Sequence, residues 1–302
     1  MKLCIKCGTE GHTNRNCREP VTSYGVIVYR RAKEGEPKGR LHPFSQMECK
    51  RHVNPPNFHQ KPCKEGELLF YLVERKDTIG FLNIVQGNYD TVSLQKSISA
   101  LTCEERWKLQ HWSFEELWTC AGTKKKDMQR CKYKFEQTVW AEILDQTQCH
   151  FREADYLIPK GRLVYHESAM ECALREATEE SGYAPGSIEL LRLRPYEETF
   201  TGTDSKLYRN VYFIGRLKDD AKVAVNLGED AAQSKEVQNM AWLNITECLT
   251  LIRDYHENQK AILSHAHKCL TDPAFQPIPV SLWAARSCSY SKICRSLISF
   301  RG

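Results

Sequence analysis

The segment of residues 161–182 constrains the fold of this chain more than any other part of the sequence. Ser168 followed by Glu171 forms a capping box, which predicts a helix that begins at about Ala169. Gly182 stands where a left-handed C-terminal cap is expected. Apolar residues recur between these ends at helical spacing and predict one buried face. They are Met170, Ala173, Leu174 and Ala177.

The opposite face of this predicted helix is acidic. Glu176, Glu179 and Glu180 lie three and four residues apart, so their carboxylates converge and repel one another. Hard cations such as Mg2+ or Mn2+ take oxygen ligands, and a bound cation would neutralise this repulsion. Arg175 is within reach of Glu167 or Glu179 and would orient the ligating carboxylates. The alternative is a solvated acidic face, which fits an isolated Glu-x-x-Glu-Glu better than one with these neighbours.

A fixed pattern of residue types runs through the whole segment. It comprises Gly161, Glu167, Arg175, Glu176, Glu179, Glu180 and Gly182. This pattern resembles the signature of the Nudix hydrolases, which use a divalent metal to split a diphosphate linked to another group. The resemblance implies the α/β/α Nudix sandwich, with a mixed sheet. It also implies that Glu176, Glu179 and Glu180 bind Mg2+ or Mn2+ together with the carbonyl of Gly161.

The loop ahead of the helix carries two cations. Residues 156–162 are typical of a short strand that runs into a loop. By the same resemblance, Lys160 and Arg162 lie where a phosphate chain would pass, and they are predicted to bind the substrate. Two cations beside a glycine are also common in an ordinary surface turn, which is the alternative.

Hydrolysis also needs a base that activates water. The resemblance puts a glutamate in this role, ahead of the last strand, and Glu236 has the matching sequence context. Glu229 and Glu198 are the alternatives. The predicted catalytic residues are therefore Glu180, Glu236 and Arg175.

Length and composition indicate an intracellular enzyme. The 302 residues suffice for one enzyme domain with additions. No apolar run is long enough to cross a membrane, and the N-terminus lacks the apolar stretch of a signal peptide. The 14 cysteines are scattered along a long chain, which predicts reduced thiols in a cytosol or nucleus, some of them held by metal. A net charge of +5 permits a polyanionic partner without requiring one.

Residues 1–20 contain a compact metal-binding pattern. Four potential ligands have the spacing of a CCHC zinc knuckle: Cys4, Cys7, His12 and Cys17. So short a piece cannot bury a core and should fold only with Zn2+ bound. Knuckles of this type bind single-stranded RNA or DNA by stacking on its bases. Ile5 and Thr13 stand where other knuckles carry aromatic or larger apolar groups, so a protein-binding knuckle is the alternative.

Residues 21–270 form the predicted Nudix domain, and a basic tail, residues 271–302, follows. A first insertion, the loop of residues 31–66, is rich in Lys, Pro and His. It separates a strand at residues 23–29 from a hairpin partner at residues 68–73. A second zinc site is conceivable in this loop, but the irregular spacing favours a loosely packed insertion. Its ligands would be Cys49, His52, His59 and Cys63.

A second insertion, residues 90–150, has helical periodicity and predicts about three helices. Its run of lysines, residues 124–126, is typical of a solvated helix start, with contact to RNA phosphates as the alternative. Strands and a closing helix are predicted after the acidic helix. They lie at residues 188–194, 207–217 and 237–243, and from Thr246 onward. These elements suit a mixed sheet with helices on both faces.

Three stretches ahead of the acidic helix sharpen the family resemblance. They are residues 81–89, 101–106 and 114–118. Together with residues 159–162 they are similar to the decapping Nudix enzymes of large cytoplasmic DNA viruses, over about residues 22–265. The similarity implies capped mRNA as the partner and the host cytoplasm as the location. The zinc knuckle is not part of that viral pattern and would be an RNA-handling addition.

Three functions are consistent with these features. The first is removal of the mRNA cap, which releases m7GDP and 5′-monophosphate RNA, with the RNA engaged by the knuckle and the helical insertion. The second is hydrolysis of diphosphoinositol polyphosphates or dinucleoside polyphosphates. The third is RNA binding without catalysis, which the intact acidic set disfavours. Trp118, Tyr24 and Tyr212 are the candidates for stacking on a cap.

Overall fold

One mixed sheet organises the part of the chain that the computed structural model describes, residues 4–35, 39–41, 62–122, 127–202, 206–221 and 237–275. Its strands are β1 (Val21–Arg31), β2 (Gly39–Leu41), β3 (Leu68–Arg75), β4 (Tyr156–Leu157), β5 (Lys160–Arg162), β6 (Ile188–Leu190), β7 (Tyr196–Thr201), β8 (Leu207–Leu217) and β9 (Val237–Leu243). The helices are α1 (Ile79–Val85), α2 (Thr91–Ala100), α3 (Cys103–His111), α4 (Phe114–Cys120), α5 (Met128–Glu136), α6 (Trp140–Asp145), α7 (Ala169–Ser181), α8 (Ile245–Leu251) and α9 (Glu257–Thr271).

The strand order explains how the sheet brings distant segments together. The main order is β2-β9-β3-β1-β8-β6, and β4, β5 and β7 pair with β3, β1 and β8. β1 and β8 run parallel, whereas the other pairs are antiparallel. The sheet is therefore mixed, as predicted, and the predicted pairing of β1 with β3 is confirmed. Because β1 lies at the centre and is covered on both faces, its middle is a continuous apolar run.

Alternate residues of β1 face two different cores. Val26 and Val28 belong to the core that packs against α7. Ile27 and Tyr29 belong to the core beneath α8 and α9. Helices therefore cover both faces of the sheet, which confirms the predicted α/β/α sandwich.

Six short helices, α1–α6, form an insertion with an apolar core of its own in the described part of the chain. Residues 90–150 are helical as predicted, but their described part contains five short helices instead of about three, and a sixth, α1, begins ahead of them at Ile79. Asp90, Thr102 and Ser113 each form a capping box with the residue three positions later. Each cap starts a new helix. The apolar spacing in the sequence is typical of fewer and longer helices, so it does not reveal these breaks.

A disulfide joins Cys103, at the start of α3, to Cys149, after α6, with the Cα atoms 5.7 Å apart. The prediction of reduced thiols is wrong for this pair. The two segments meet because the backbone N–H of Cys103 donates to the carbonyl of Phe151 at 2.9 Å. Since the two cysteines are 46 positions apart, the sequence contains no local sign of this contact.

Arg253, which follows α8, ties the helical insertion to the sandwich. Its side chain is 3% exposed and donates to the carbonyl of Ala100 at 2.7 Å and to that of Glu153 at 2.6 Å. The guanidinium lies 3.9 Å from the ring centroid of Phe151, and Nε lies 3.7 Å from Asp155 Oδ1. One buried cation thus binds three segments that the chain brings together only on folding.

Several predicted features fall outside the described residues. They are Cys49, His52 and His59 with most of the loop of residues 31–66, the lysines at 124–126, and the tail from residue 276. Cys63 is described and is buried. Within the described ranges, the helices include none with the length and apolar character needed to cross a membrane.

Candidate active site

Helix α7 carries the predicted acidic ridge, and its ends lie where the sequence predicts them. The Ser168 hydroxyl accepts from the Glu171 N–H at 3.3 Å, and the Glu171 carboxylate accepts from the Ser168 N–H at 2.9 Å. Gly182 ends the helix in the left-handed conformation, with φ of 68°. The predicted apolar face packs against the sheet and is buried or partly buried, through Met170, Ala173, Leu174 and Ala177.

Arg175 lies at the centre of the acidic side of α7. Its guanidinium donates to Glu167 at 2.7 Å, to Glu176 at 2.7 Å and to Glu179 at 3.1 Å. It also donates to the backbone carbonyl of Arg162 at 3.0 Å. Hydrogen bonding to Glu167 is the main cause of the raised pKa of Arg175. The contacts anchor the loop that contains β5 to the helix and hold two ridge carboxylates in fixed positions.

Close contact between Gly161 and Glu176 requires a glycine in β5. A Cβ on Gly161 would overlap the carboxyl group of Glu176. The thiol of Cys172, which is buried in α7, donates to the Gly161 carbonyl at 3.6 Å. The missing side chain therefore allows the site loop to lie directly against the acidic ridge.

Glu180 and Lys160 line a small pocket with the side chain of Arg75. Its walls are Val73, Leu157, Ile158 and Val237. A volume of about 50 Å³ accommodates an ion with a few waters, although not a nucleotide. Burial lowers the pKa of Lys160, and the negative charge of Glu180 opposes that shift. The pocket therefore contains a partly desolvated cation beside a ridge carboxylate.

Of the three candidate bases, Glu198 on β7 is the one that lies within the described residues. Its Oε1 accepts from Asn210 Nδ2 at 2.7 Å and from the Tyr212 hydroxyl at 2.9 Å. Its negative charge also favours the protonated form of Lys160, although Glu198 itself is not among the residues that line the pocket. Glu236 and Glu229 lie outside the described residues, and the role of Glu236 as the base stays a prediction.

The four predicted zinc ligands come together at the N-terminus. The potential ligand atoms of Cys4, Cys7, His12 and Cys17 all lie within 4.8 Å of one another. Cys7 Sγ is 3.3 Å from His12 Nε2, and all three cysteines are buried. Three thiolates and one imidazole are a donor set that suits tetrahedral Zn2+.

The N-terminal segment that carries this Cys/His cluster, the predicted knuckle, packs against the sandwich. Ile5 contacts the core beneath α7, and the backbone N–H of Thr22 in β1 donates to the Lys6 carbonyl at 2.8 Å. Gly8 lies so close to Leu163, the residue after β5, that an added Cβ would crowd the leucine side chain. Ile5 therefore faces the protein and is not available as a stacking surface for a base.

The predicted cap-stacking tyrosines are core residues. Tyr24 is 2% exposed and Tyr212 is not exposed at all, so neither can stack on a base, and the prediction is wrong for both. Trp118 is partly buried in the insertion, where its ring centroid lies 5.7 Å from that of Phe114. Both tyrosines stand in apolar strand segments, and such a pattern is as typical of a buried core residue as of one that contacts a ligand.

The sequence analysis did not predict an exposed aromatic pair on β7 and β8. Phe200 is 43% exposed, and its ring stacks on Tyr208 with centroids 5.7 Å apart. Phe200 stands two residues beyond Glu198 on β7, so the two side chains share one face of the strand. β7 is short and mostly polar, so it lacks the apolar alternation from which a strand is predicted, and Phe200 could not be placed on it.

The residues around Gly161 fit a hard divalent cation. Such ions prefer carboxylate and carbonyl oxygens, which Glu176, Glu180 and the Gly161 backbone supply. In the described residues the ridge glutamates do not form a tight ligand cluster, because Arg175 holds Glu176 and Glu179 in its own hydrogen bonds. A cation bound here would neutralise the negative charge of the ridge carboxylates together with Arg175, which pairs with Glu176 and Glu179 in this structure.

The capped acidic helix and its glycine loop lie in a segment with a family match. Residues 140–265 match the NUDIX domain, so this part of the chain carries the domain whose signature the sequence resembles. The matched segment includes α7 and β5, while β1 and β3 of the same sheet precede it.

A viral protein is similar along most of the chain. The "Putative mRNA-decapping protein" of Acanthamoeba polyphaga mimivirus is 24% identical over 340 residues, which cover 88% of this chain and 93% of that protein. Among solved structures, a C. elegans Ap4A hydrolase binary complex is 12% identical, with a TM-score of 0.39, over 82% of this chain and 96% of that one. A mutT/nudix family protein from Listeria innocua is 14% identical, with a TM-score of 0.34, over 84% and 97%.

Proposed function

We propose that this protein is a metal-dependent Nudix pyrophosphohydrolase that removes the 5′ cap of mRNA, releasing m7GDP and 5′-monophosphate RNA. The observation that carries the proposal is the similarity along 88% of the chain to the mimivirus protein, whose name describes mRNA decapping. Capped mRNA is then the partner, and the cytoplasm is the place of action.

The acidic ridge supports the chemistry of this reaction. Mg2+ or Mn2+ bound at the ridge would neutralise charge on the diphosphate and lower the pKa of the attacking water. Glu176 and Glu180 would hold the ion together with the Gly161 carbonyl, and Arg175 orients Glu176 through its hydrogen bond of 2.7 Å. Glu179 completes the proposed ligand set on the same helix.

Cations beside the ridge support binding of the phosphate chain. Lys160 lines the pocket that contains Glu180, and Arg162 is exposed at the end of β5. Lysine binds phosphate as a compact charge, whereas arginine donates two hydrogen bonds in a planar fork. We assign phosphate contacts to both residues and the role of base to Glu236.

Surfaces next to the site loop favour a polynucleotide over a free nucleotide. The knuckle lies against Leu163 at Gly8, and its Arg15 and Arg18 are exposed. These arginines would contact RNA phosphates, while the exposed ring of Phe200 offers a stacking surface for a base. The knuckle then engages RNA through charge and not through base stacking.

A comparison of substrates tests the proposal. We expect kcat/KM to be highest for capped RNA, lower for the cap dinucleotide, and lowest for an inositol pyrophosphate and a dinucleoside polyphosphate, because only RNA reaches the knuckle. Replacing Arg15 and Arg18 by serine should reduce the slope of log(kcat/KM) against log[salt] by about one for each arginine lost. The products from capped RNA should be m7GDP and 5′-monophosphate RNA, resolved by chromatography.

The cap dinucleotide is the matched control for the double serine variant, since it lacks the RNA chain that the two arginines would contact, and its kcat/KM should not change. A higher kcat/KM for the inositol pyrophosphate or the dinucleoside polyphosphate than for capped RNA would contradict the proposal. That result would assign the protein to the hydrolases of soluble diphosphates.

A further inference from the structure

We propose that Tyr24 is a positioning residue through which the zinc knuckle holds the catalytic loop around Gly161 in place. The knuckle is then a structural brace of the active site in addition to an RNA contact. This inference rests on the proposed function only in treating Gly161 as part of the metal site.

The first link joins the knuckle to Tyr24. The Tyr24 hydroxyl donates to the backbone carbonyl of Cys7, a predicted zinc ligand, at 3.1 Å, and the tyrosine is 2% exposed. Two residues earlier, the Thr22 N–H donates to the carbonyl of Lys6 at 2.8 Å. Consecutive knuckle carbonyls, those of Lys6 and Cys7, are therefore both bound by β1.

Steric contact at Gly8 also holds the knuckle against β1. A Cβ on Gly8 would overlap the Tyr24 hydroxyl and crowd Cδ1 of Leu163. The backbone of Gly8, with φ of 76°, therefore lies in a notch between β1 and the end of the catalytic loop. A larger residue would push the knuckle away from both.

The second link joins Tyr24 to the site. In the antiparallel pairing of β1 with β5, Tyr24 lies opposite Gly161. β5 contains three residues, so few backbone bonds hold it and its position depends on the rigidity of β1. Gly161 in turn lies against the Glu176 carboxyl group. Contacts thus run from Cys7 through Tyr24 and Gly161 to the acidic ridge.

The apolar side of the knuckle is used for this docking. Ile5, between the first two zinc ligands, packs against the core that includes Tyr24 and Leu163. Zinc is what folds so short a segment, so the position of Ile5 depends on the metal. Occupancy of the zinc site should therefore stabilise a loop that contains no zinc ligand.

Tyr24→Phe tests the link, because it removes the hydroxyl and keeps the ring. In the full-length protein we expect backbone hydrogen exchange in residues 157–164 to rise about fivefold, as for the loss of one buried hydrogen bond. Mn2+ binding, followed by electron paramagnetic resonance, should weaken by about the same factor. Zinc content should stay as in the wild type.

Tyr29→Phe is the matched control, since Tyr29 lies on the same strand, is also buried, and faces the opposite core. It should leave hydrogen exchange in residues 157–164 and Mn2+ binding unchanged. Equal effects of the two tyrosine variants would overturn the inference.

A second pair of variants on the knuckle covers the case in which Tyr24→Phe does not fold. Ile5→Ala removes the docking contact and should again raise hydrogen exchange in residues 157–164. Thr13→Ala, at an exposed position whose side chain makes no capping bond, should not. If Ile5→Ala left both readouts at wild-type values, the inference would be refuted. Wild-type protein without activity on any substrate would refute the proposed function and leave these measurements informative.

Discussion

Replacing Glu180 by glutamine should reduce kcat by about 10²–10³-fold, the range seen when one group that stabilises transition-state charge is removed. Glutamine keeps the shape of the side chain and removes the negative charge that a cation requires. Glu180 also lines the small pocket with Lys160, so the substitution removes the carboxylate whose charge most favours the protonated ammonium. The measurement is a titration of initial rate with Mn2+, using the substrate that is cleaved fastest.

The metal dependence separates a ligand from a merely structural residue. In Glu180→Gln the Mn2+ concentration for half-maximal rate should rise, while the free energy of unfolding changes little. Glu189→Gln is the matched control, because Glu189 forms a surface ion pair with Arg216 on the edge strand β6. Full turnover in Glu180→Gln, with an unchanged Mn2+ requirement, would remove Glu180 from the metal site.

Arg253→Ala should cost about 3–5 kcal/mol in the free energy of unfolding, as expected when one partner of a buried ion pair is removed. The variant leaves the carbonyls of Ala100 and Glu153 without this donor and leaves Asp155 buried without its nearest guanidinium. The helical insertion should loosen from the sandwich as a consequence. Guanidinium chloride denaturation, followed by tryptophan fluorescence, gives the free energy directly.

The same substitution should change how stability depends on pH. Burial alone would raise the pKa of Asp155, but hydrogen bonds from His256 and Tyr255 and the charge of Arg253 outweigh it, so the pKa is lowered. A carboxyl with a lowered pKa stabilises the fold above its unfolded pKa of about 3.9, and this contribution is lost as the pH falls. Without Arg253 the pKa of Asp155 in the folded state rises toward its unfolded value, so the contribution becomes smaller and its loss is complete at a higher pH.

Arg216→Ala is the control for this prediction. The Arg216 side chain is 52% exposed and pairs with Glu189 at 3.1 Å, so its removal should cost less than about 1 kcal/mol. A cost for Arg253→Ala as small as that for Arg216→Ala would mean that the insertion is held by other contacts.

The predictable parts of this protein are those set by local spacing. The capping box at Ser168, the left-handed Gly182 and the pairings of Arg175 all follow from residues within a few turns of one helix. The convergence of the four predicted zinc ligands at the N-terminus is local in the same sense. Each of these features depends on the geometry of one element and needs no knowledge of the rest of the fold.

Contacts between distant segments could not be predicted. The docking of Ile5, the disulfide between Cys103 and Cys149 and the three segments bound by Arg253 exist only in the folded chain. Glu198 is a candidate base in the sequence, but its strand cannot be recognised there, because a short polar strand has little apolar alternation. For the same reason the exposed Phe200 beside it was missed.

A crystal of the full-length protein soaked in Mn2+ tests the central claim most directly. Anomalous scattering should place an ion at about 2.1 Å from the Gly161 carbonyl and from oxygens of Glu176 and Glu180, the distance typical of a hard octahedral cation. Zn2+ at the cysteines of the knuckle can be distinguished in the same crystal by its absorption edge. If the α7 ridge bound no Mn2+ while the enzyme remained active in that ion, these glutamates would not be the catalytic metal site.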